Sequence, residues 1–410
     1  MSKLIINIKH LIQVREEKKK FIPANEMDTL PSIDNGFLLI EHGLISDFGK
    51  MQDLPNINDV EVIDAKGKIV LPSWCDSHSH SVFYGNRSDE YIQRIKGISY
   101  QDIAKKGGGI LKSSNQINNA TEDELFSESE RRIKKLIRYG TGSLEIKSGY
   151  GLSYEGELKM LKVIKRLKDS LPIEIKSTFL GAHSVPKNYT KEDYFDVVIT
   201  KMLPDFYEKN LIDFVDIFCE SNYFTPKDLN KLMIEANKMN LPSKIHVNQF
   251  TSIGGIKEAV KNNALTVDHL EVLNDDDIKL LKAGKTMPVL LPGCSFFLGI
   301  NYAPAKKLLL NNIPFAIASD FNPGSSPSGN MNFILSLACK KLELSTEQAI
   351  NATTLNGAYA MGVSERTGSI CRGKLANLII TEDLNSIDDI PYYYADNLIY
   401  KVLIKGEEIY

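Results

Sequence analysis

The chain has seven histidines, and two of them, His78 and His80, stand two residues apart in Asp76-Ser77-His78-Ser79-His80. On an extended strand this spacing turns both imidazoles to one face, where they can chelate a single cation. His246 and Asp320 follow, each at the end of a later apolar run. Together His78, His80, His246 and Asp320 supply three nitrogens and one oxygen, with a position left for water. A single histidine at a strand end is more often a hydrogen-bonded core residue than a ligand. A set that falls in order around one sheet is better explained by a metal ion. Such an ion lowers the pKa of bound water and polarises a carbonyl, which is the chemistry of metal-assisted hydrolysis.

His183 and His269 also sit at or just past the ends of apolar runs, whereas His10 and His42 fall in β segments and look structural. The run 214–219 leads through Cys219 to Glu220, so no lysine is available there to be carbamylated and bridge two ions. One metal is expected. Lys147 is expected to pair with Glu145 or a neighbouring carboxylate. Arg87, soon after the histidine pair, can offer a bidentate fork to a carboxylate, although a surface arginine would satisfy the same sequence. Gly107-Gly108-Gly109 is either a close backbone approach to a ligand or an ordinary turn. Tyr150, in Lys147-Ser148-Gly149-Tyr150-Gly151-Leu152, can hydrogen-bond a ligand or simply pack with a wet hydroxyl. In residues 319–327 a Gly/Ser turn follows Asp320, and its amides and hydroxyls can receive an anion.

Eight apolar runs, 69–75, 142–147, 173–180, 214–219, 244–247, 265–268, 286–291 and 315–318, alternate with helical periodicity. That pattern predicts a (β/α)8 TIM-like barrel, whose strand-end loops carry the chemistry. Helix starts are marked by the capping box Thr121-x-x-Glu124 and by Thr225-Pro226-Lys227-Asp228. Helices are expected over 303–311, 331–341 and 346–361 as well. Period-two alternation over 4–12, over 37–41 and 44–48 around His42-Gly43, over 61–64 and 68–71 around Lys66-Gly67, and over 376–381 and 398–404, the last turning at Lys405-Gly406, predicts short strands and hairpins. The two ends of the chain are expected to pair into a small β-sandwich of residues 1–72 and 365–410, beside a barrel of 73–364.

Composition narrows the partners. With 49 Lys+Arg against 52 Asp+Glu, the net charge of −3 gives no global positive field for nucleic acid or an anionic membrane. Of 410 residues 43% are hydrophobic and 25% charged, as in ordinary globular chains. Five scattered cysteines without a Cys-x-x-Cys pair argue against a disulfide framework or a thiolate zinc knuckle and suit a reducing cytoplasm. Residues 1–10 and 287–300 are interrupted by Lys9 and by Pro292-Gly293, so neither a signal peptide nor a membrane span is expected.

Cys75 to His80, Arg87, Gly97-Ile98-Ser99-Tyr100, Gly107-Gly108-Gly109-Ile110-Leu111, Lys147 to Leu152, Gly181-Ala182-His183, Asp268-His269-Leu270 and Asp320 to Pro327 stand together in one order. Over nearly its whole length the chain thereby resembles the imidazolone-hydrolysing family of the amidohydrolase superfamily. The resemblance implies ring opening of 4-imidazolone-5-propanoate to N-formimidoyl-L-glutamate in histidine degradation, with one Zn or Fe ion per chain. It implies His78, His80, His246 and Asp320 as metal ligands, with Arg87, Tyr150, His183, Asn322, Gly324 and Ser325 around the substrate and Arg87 on its propionate. It also implies a homodimer. Many members carry glutamate where this chain has Gln249, and glutamine cannot shuttle a proton. Gln249 is therefore expected to contact substrate, Asp320 to take the proton of water, His269 to support the oxyanion or the leaving nitrogen, and His183 to orient the ring. A mononuclear-metal deaminase of purines or pyrimidines would want the glutamate and no carboxylate clamp. Gln249 equally motivates a catalytically silent metal-binding relative.

Overall fold

The computed structural model describes residues 2–56, 59–99, 102–103 and 106–410; Met1 and Tyr100 lie outside them. Two eight-stranded sheets are formed among the described residues. In the first, Trp74–Asp76, Thr141–Lys147, Glu174–Ala182, Phe214–Cys219, Ser243–Val247, Thr266–His269, Met287–Leu290 and Ala316–Ile317 pair in parallel, each with the next in sequence. These strands are short and buried, as a parallel sheet covered by helices requires. Between its first and last strands the ring is joined by the Asp320 N–H to the His78 carbonyl (3.0 Å) and the His80 N–H to the Phe321 carbonyl (2.8 Å). A (β/α)8 barrel results, and because all its strands run the same way, the residues following them gather at one mouth.

Helices start where the caps lie. Thr121 accepts the Glu124 N–H and opens Glu122–Arg138, which buries Leu125, Ile133, Leu136 and Ile137. Thr225 opens Pro226–Lys238 in the same manner, burying Leu229, Leu232, Met233 and Ala236. A capping hydroxyl satisfies an amide that the helix leaves without a partner, so Thr121→Ala should cost about 1 kcal/mol of stability, read as a lowered urea midpoint at constant m.

The second sheet is mixed and draws on both ends of the chain. Its order is Glu407–Glu408, Ile399–Ile404, Leu378–Thr381, Ile69–Pro72, Lys3–Ile12, Ser32–Glu41 and Leu44–Lys50, with Glu61–Asp64 also against Lys3–Ile12. The ends meet where Leu378–Ile380 runs antiparallel to Val70–Pro72. Ile5, Ile8, Leu11, Leu38, Phe48, Val70, Leu378 and Leu403 form its own apolar core.

Three elements differ from expectation. The run 69–75 is one apolar stretch but serves both sheets. Pro72 lacks a donor, and partners change beyond it: the Ser73 N–H bonds Asn377 and the Trp74 N–H bonds Gly140. Lys66-Gly67 makes the expected turn with positive φ, yet its flanking strands do not pair with each other; both lie parallel to Lys3–Ile12. Residues 346–361 form two helices, Thr346–Thr353 and Leu355–Ala360. The Thr353 and Thr354 hydroxyls bond back to carbonyls of the preceding turn, and Thr354 leaves helical geometry.

Candidate active site

His78 and His80 follow the first barrel strand, His246 lies on the fifth, and Asp320 follows the eighth; all four are buried. Asp320 Oδ1 lies 3.4 Å from His78 Nε2 and 3.6 Å from His80 Nε2. The Nε2 atoms of His80 and His246 are 3.3 Å apart. The opposite edges of two rings are tied down, because His78 Nδ1 donates to Asp268 Oδ2 at 2.6 Å and His246 Nδ1 to Asp216 Oδ2 at 2.8 Å. A carboxylate on Nδ1 fixes the proton there and leaves the Nε2 lone pair for an acceptor of electrons. His78 Nε2 is buried without a hydrogen-bond partner. Burial, then the charges of Lys147 and the other imidazoles, holds His78 and His246 well below the ordinary histidine pKa; burial and His246 do the same for His80. Two neutral imidazoles, His78 and His80, converge on one carboxylate oxygen, and the neutral His246 adjoins them through His80, a donor set that fits one cation.

Behind this set lies an ion-pair network. Lys147 Nζ is 2.7 Å from Glu145, 2.8 Å from Asp216 and 3.6 Å from Asp268, so it joins the two carboxylates that orient His246 and His78. The expected partner Glu145 is therefore one of three. The sequence marks Asp268 only as part of the Asp268-His269-Leu270 motif and gives it no role, and Asp216 carries no spacing signal inside its apolar run; its only mark is that charge in a buried strand demands a partner.

A small cavity opens on the histidines and is also lined by Arg87, Tyr150, Gln249, His269, Asn322 and Ser325. Arg87 is buried, and its Nε donates to Glu90 Oε2 at 2.9 Å. Glu90 Oε1 in turn accepts the Gly109 N–H at 3.0 Å, and a Cβ on Gly108 would fall 2.6 Å from Ile103 Cγ2. The glycine triplet thus wraps the partner of Arg87. Gly324 lies against Arg87, and a Cβ there would fall 2.2 Å from the guanidinium carbon. His183 stacks on His80 with centroids 5.4 Å apart, and its Nδ1 donates to the Gly149 carbonyl at 3.0 Å. Burial pushes His183 down to about 4, so the ring is neutral. Tyr150 packs 5.4 Å from His183.

One expectation changes. The Gly324 and Ser325 amides donate to Asn322 Oδ1 at 2.8 and 2.7 Å, so the turn after Asp320 spends these amides on itself instead of receiving an anion. Asn322 Nδ2 donates to the Asp320 carbonyl and to Ser325 Oγ, so Asn322 braces the loop that carries Asp320. Gln249 Nε2 contacts Cys294 Sγ at 3.2 Å. Cys294, which the sequence marks only as one of five scattered cysteines, lies with His269 and Asp320 in one cluster. His269 Nδ1 is 3.4 Å from Glu271 Oε1. Burial works against the charged ring, but Glu271, Asp320 and Asp268 outweigh it and raise the His269 pKa. His269 and Asp320 have φ of 87° and 52°, a left-handed backbone that no sequence pattern announces and that often marks functional positions.

Fold and site define the class: the chain belongs to the amidohydrolase family, whose model matches residues 69–409. Two solved structures share the fold over 100% of this chain. They are the Escherichia coli guanine deaminase (TM-score 0.77, 16% identity, 99% of that chain) and a triazine hydrolase from Arthobacter aurescens (TM-score 0.77, 13% identity, 94% of that chain). Within the class the chain belongs with the imidazolonepropionases. It is 53% identical to the imidazolonepropionase of Flavobacterium johnsoniae over 100% of both chains. It is 36% identical to that of Clostridium tetani, over 99% of this chain and 98% of the other. Among the described residues no helix is long and apolar enough to cross a membrane.

Proposed function

We propose that the protein hydrolyses 4-imidazolone-5-propanoate to N-formimidoyl-L-glutamate, a step of histidine degradation. The observation that carries this reading is a single cavity joining Arg87 to the histidine and aspartate cluster. A ring to be opened and a carboxylate to be held need those two groups on one wall. His78, His80, His246 and Asp320 would hold one Zn or Fe ion, which when bound activates water and polarises the ring carbonyl. Asp320 turns its second oxygen, Oδ2, toward Ser325 Oγ at 3.4 Å, and this carboxylate receives the proton of the attacking water. His269, whose charged form Glu271 favours, donates to the carbonyl oxygen as it gains charge or to the departing ring nitrogen. His183, protonated on Nδ1, offers its Nε2 lone pair to a ring N–H, and Tyr150 closes the same side. Gln249 orients substrate through hydrogen bonds. Gly324 leaves room for Arg87, and Ser325 lines the floor. We further propose a homodimer working in the cytoplasm, where the five cysteines, all free, stay reduced.

Arg87→Ala should weaken substrate binding by about 1.5–3 kcal/mol, the range for a charge-assisted hydrogen bond. Steady-state kinetics on imidazolone propanoate check it; parental kinetics in that variant would place the carboxylate elsewhere. Assaying the parent on this substrate and on guanine, adenine and cytosine separates the proposed reaction from deamination. A metal-loaded parent that turns over none of them is a silent relative.

A further inference from the structure

Glu157, on the first turn of the helix Tyr154–Ser170, is fully buried and takes no part in the chemistry above. Its carboxylate collects the backbone of the neighbouring loop. Oε2 accepts the Gly149 N–H at 3.0 Å, while Oε1 accepts the Gly151 N–H at 2.7 Å and the Leu152 N–H at 3.0 Å. The Ser148 hydroxyl bonds the same carboxylate and accepts the Leu180 N–H. The donors lie on both sides of Tyr150. The loop is not one the chain adopts freely: Gly149 has φ of 104° and Leu152, a branched side chain, has φ of 49°. It is pressed onto the helix, since a Cβ on Gly151 would fall 2.2 Å from the Glu157 nitrogen. Two groups of the cavity depend on its course. Tyr150 projects from its centre, and the Gly149 carbonyl fixes the His183 proton on Nδ1.

We propose that Glu157 is a positioning residue for substrate binding, acting through loop 148–152 to set the Tyr150 ring and the His183 tautomer. An ionised carboxylate accepts several N–H groups at once, and such charge-assisted bonds are the strong ones. An amide in its place keeps the shape but turns an N–H toward an N–H. The loop then relaxes, the ring and carbonyl shift, and the metal ligands stay where Asp216 and Asp268 hold them. This inference rests on the proposed substrate for its kinetic readout alone.

The test uses full-length, metal-loaded Glu157→Gln, Tyr150→Phe, their double variant and Glu157→Asp. Glu157→Gln should raise KM for imidazolone propanoate about 3- to 10-fold, the value of one hydrogen bond, with kcat within about twofold and metal content unchanged. The double variant should raise KM no further than the worse single variant, because both changes remove the same contact. Glu157→Asp, which keeps the anion, should recover part of the loss and serves if Glu157→Gln does not fold. In 15N spectra the His183 ring resonances should move in Glu157→Gln and return toward the parent in Glu157→Asp. Unaltered KM and unaltered His183 resonances overturn the inference, as does a KM effect that simply adds to that of Tyr150→Phe. If the parent fails to turn over imidazolone propanoate, the functional reading falls, and the His183 resonances alone decide the role of Glu157.

Discussion

Asp320→Asn should lower kcat on imidazolone propanoate by about 10²–10⁴-fold or more, the loss that follows removal of a positioned general base. The amide keeps the volume of Asp320 and its backbone bond to His78, but it has neither the negative charge that would face a bound cation nor a site for a proton. His269→Ala should fall in the same range, because it removes the one imidazole in the cluster whose neighbours favour the charged ring. Gln249→Ala should lose less, chiefly in KM. Its amide contacts Cys294 and the cavity and carries no titratable proton. The kcat values of the three variants, each with its metal content measured, check the assignment. A Gln249→Ala collapse as deep as that of Asp320→Asn, with metal retained, would move the proton path to residue 249.

Introducing His78→Ala and His80→Ala together should reduce bound metal from about one ion per chain to almost none, measured by mass spectrometry of metal content. The prediction follows from geometry. Both rings point Nε2 at the same aspartate oxygen, and one of those nitrogens is buried with no other partner. Two donors out of four cannot close a tetrahedral site, and His246 with Asp320 would be left with a half-empty shell. Undiminished metal in the double variant would place the ion elsewhere.

The barrel was legible because its strands are short apolar runs separated by capped helices, and the two boxes at Thr121 and Thr225 open helices where the sequence puts them. The metal-ligand candidates were legible because His-x-His and strand-end positions follow from period two alone. What escaped was decided by contacts between distant segments. Whether residues 69–75 feed one sheet or two depends on Asn377 and Gly140, far along the chain. The Lys66-Gly67 turn is local, but the partner of its strands is Lys3–Ile12. Asp216 and Asp268 act on histidines of other strands, and nothing in their own neighbourhood announces it. Asn322 entered only through the resemblance, as a residue around the substrate, whereas its role as brace of the turn appears only once the loop is folded.

The joint between the first and last barrel strands has a consequence in the order of synthesis. His78 and His80 leave the ribosome early, and their partner Asp320 emerges roughly 240 residues later, at about 5–20 residues per second. Until then the cavity has no eighth wall and the donor set no oxygen. Strand Leu378–Thr381 comes later still, and it must find Ile69–Pro72, already leading into the first barrel strand. A nascent chain therefore carries exposed edges at both sheets to the end, and ring and terminal sheet are completed by the last quarter of the polypeptide. Truncation there removes more than a peripheral sheet: it takes away the strand that covers the segment on which the histidine pair begins.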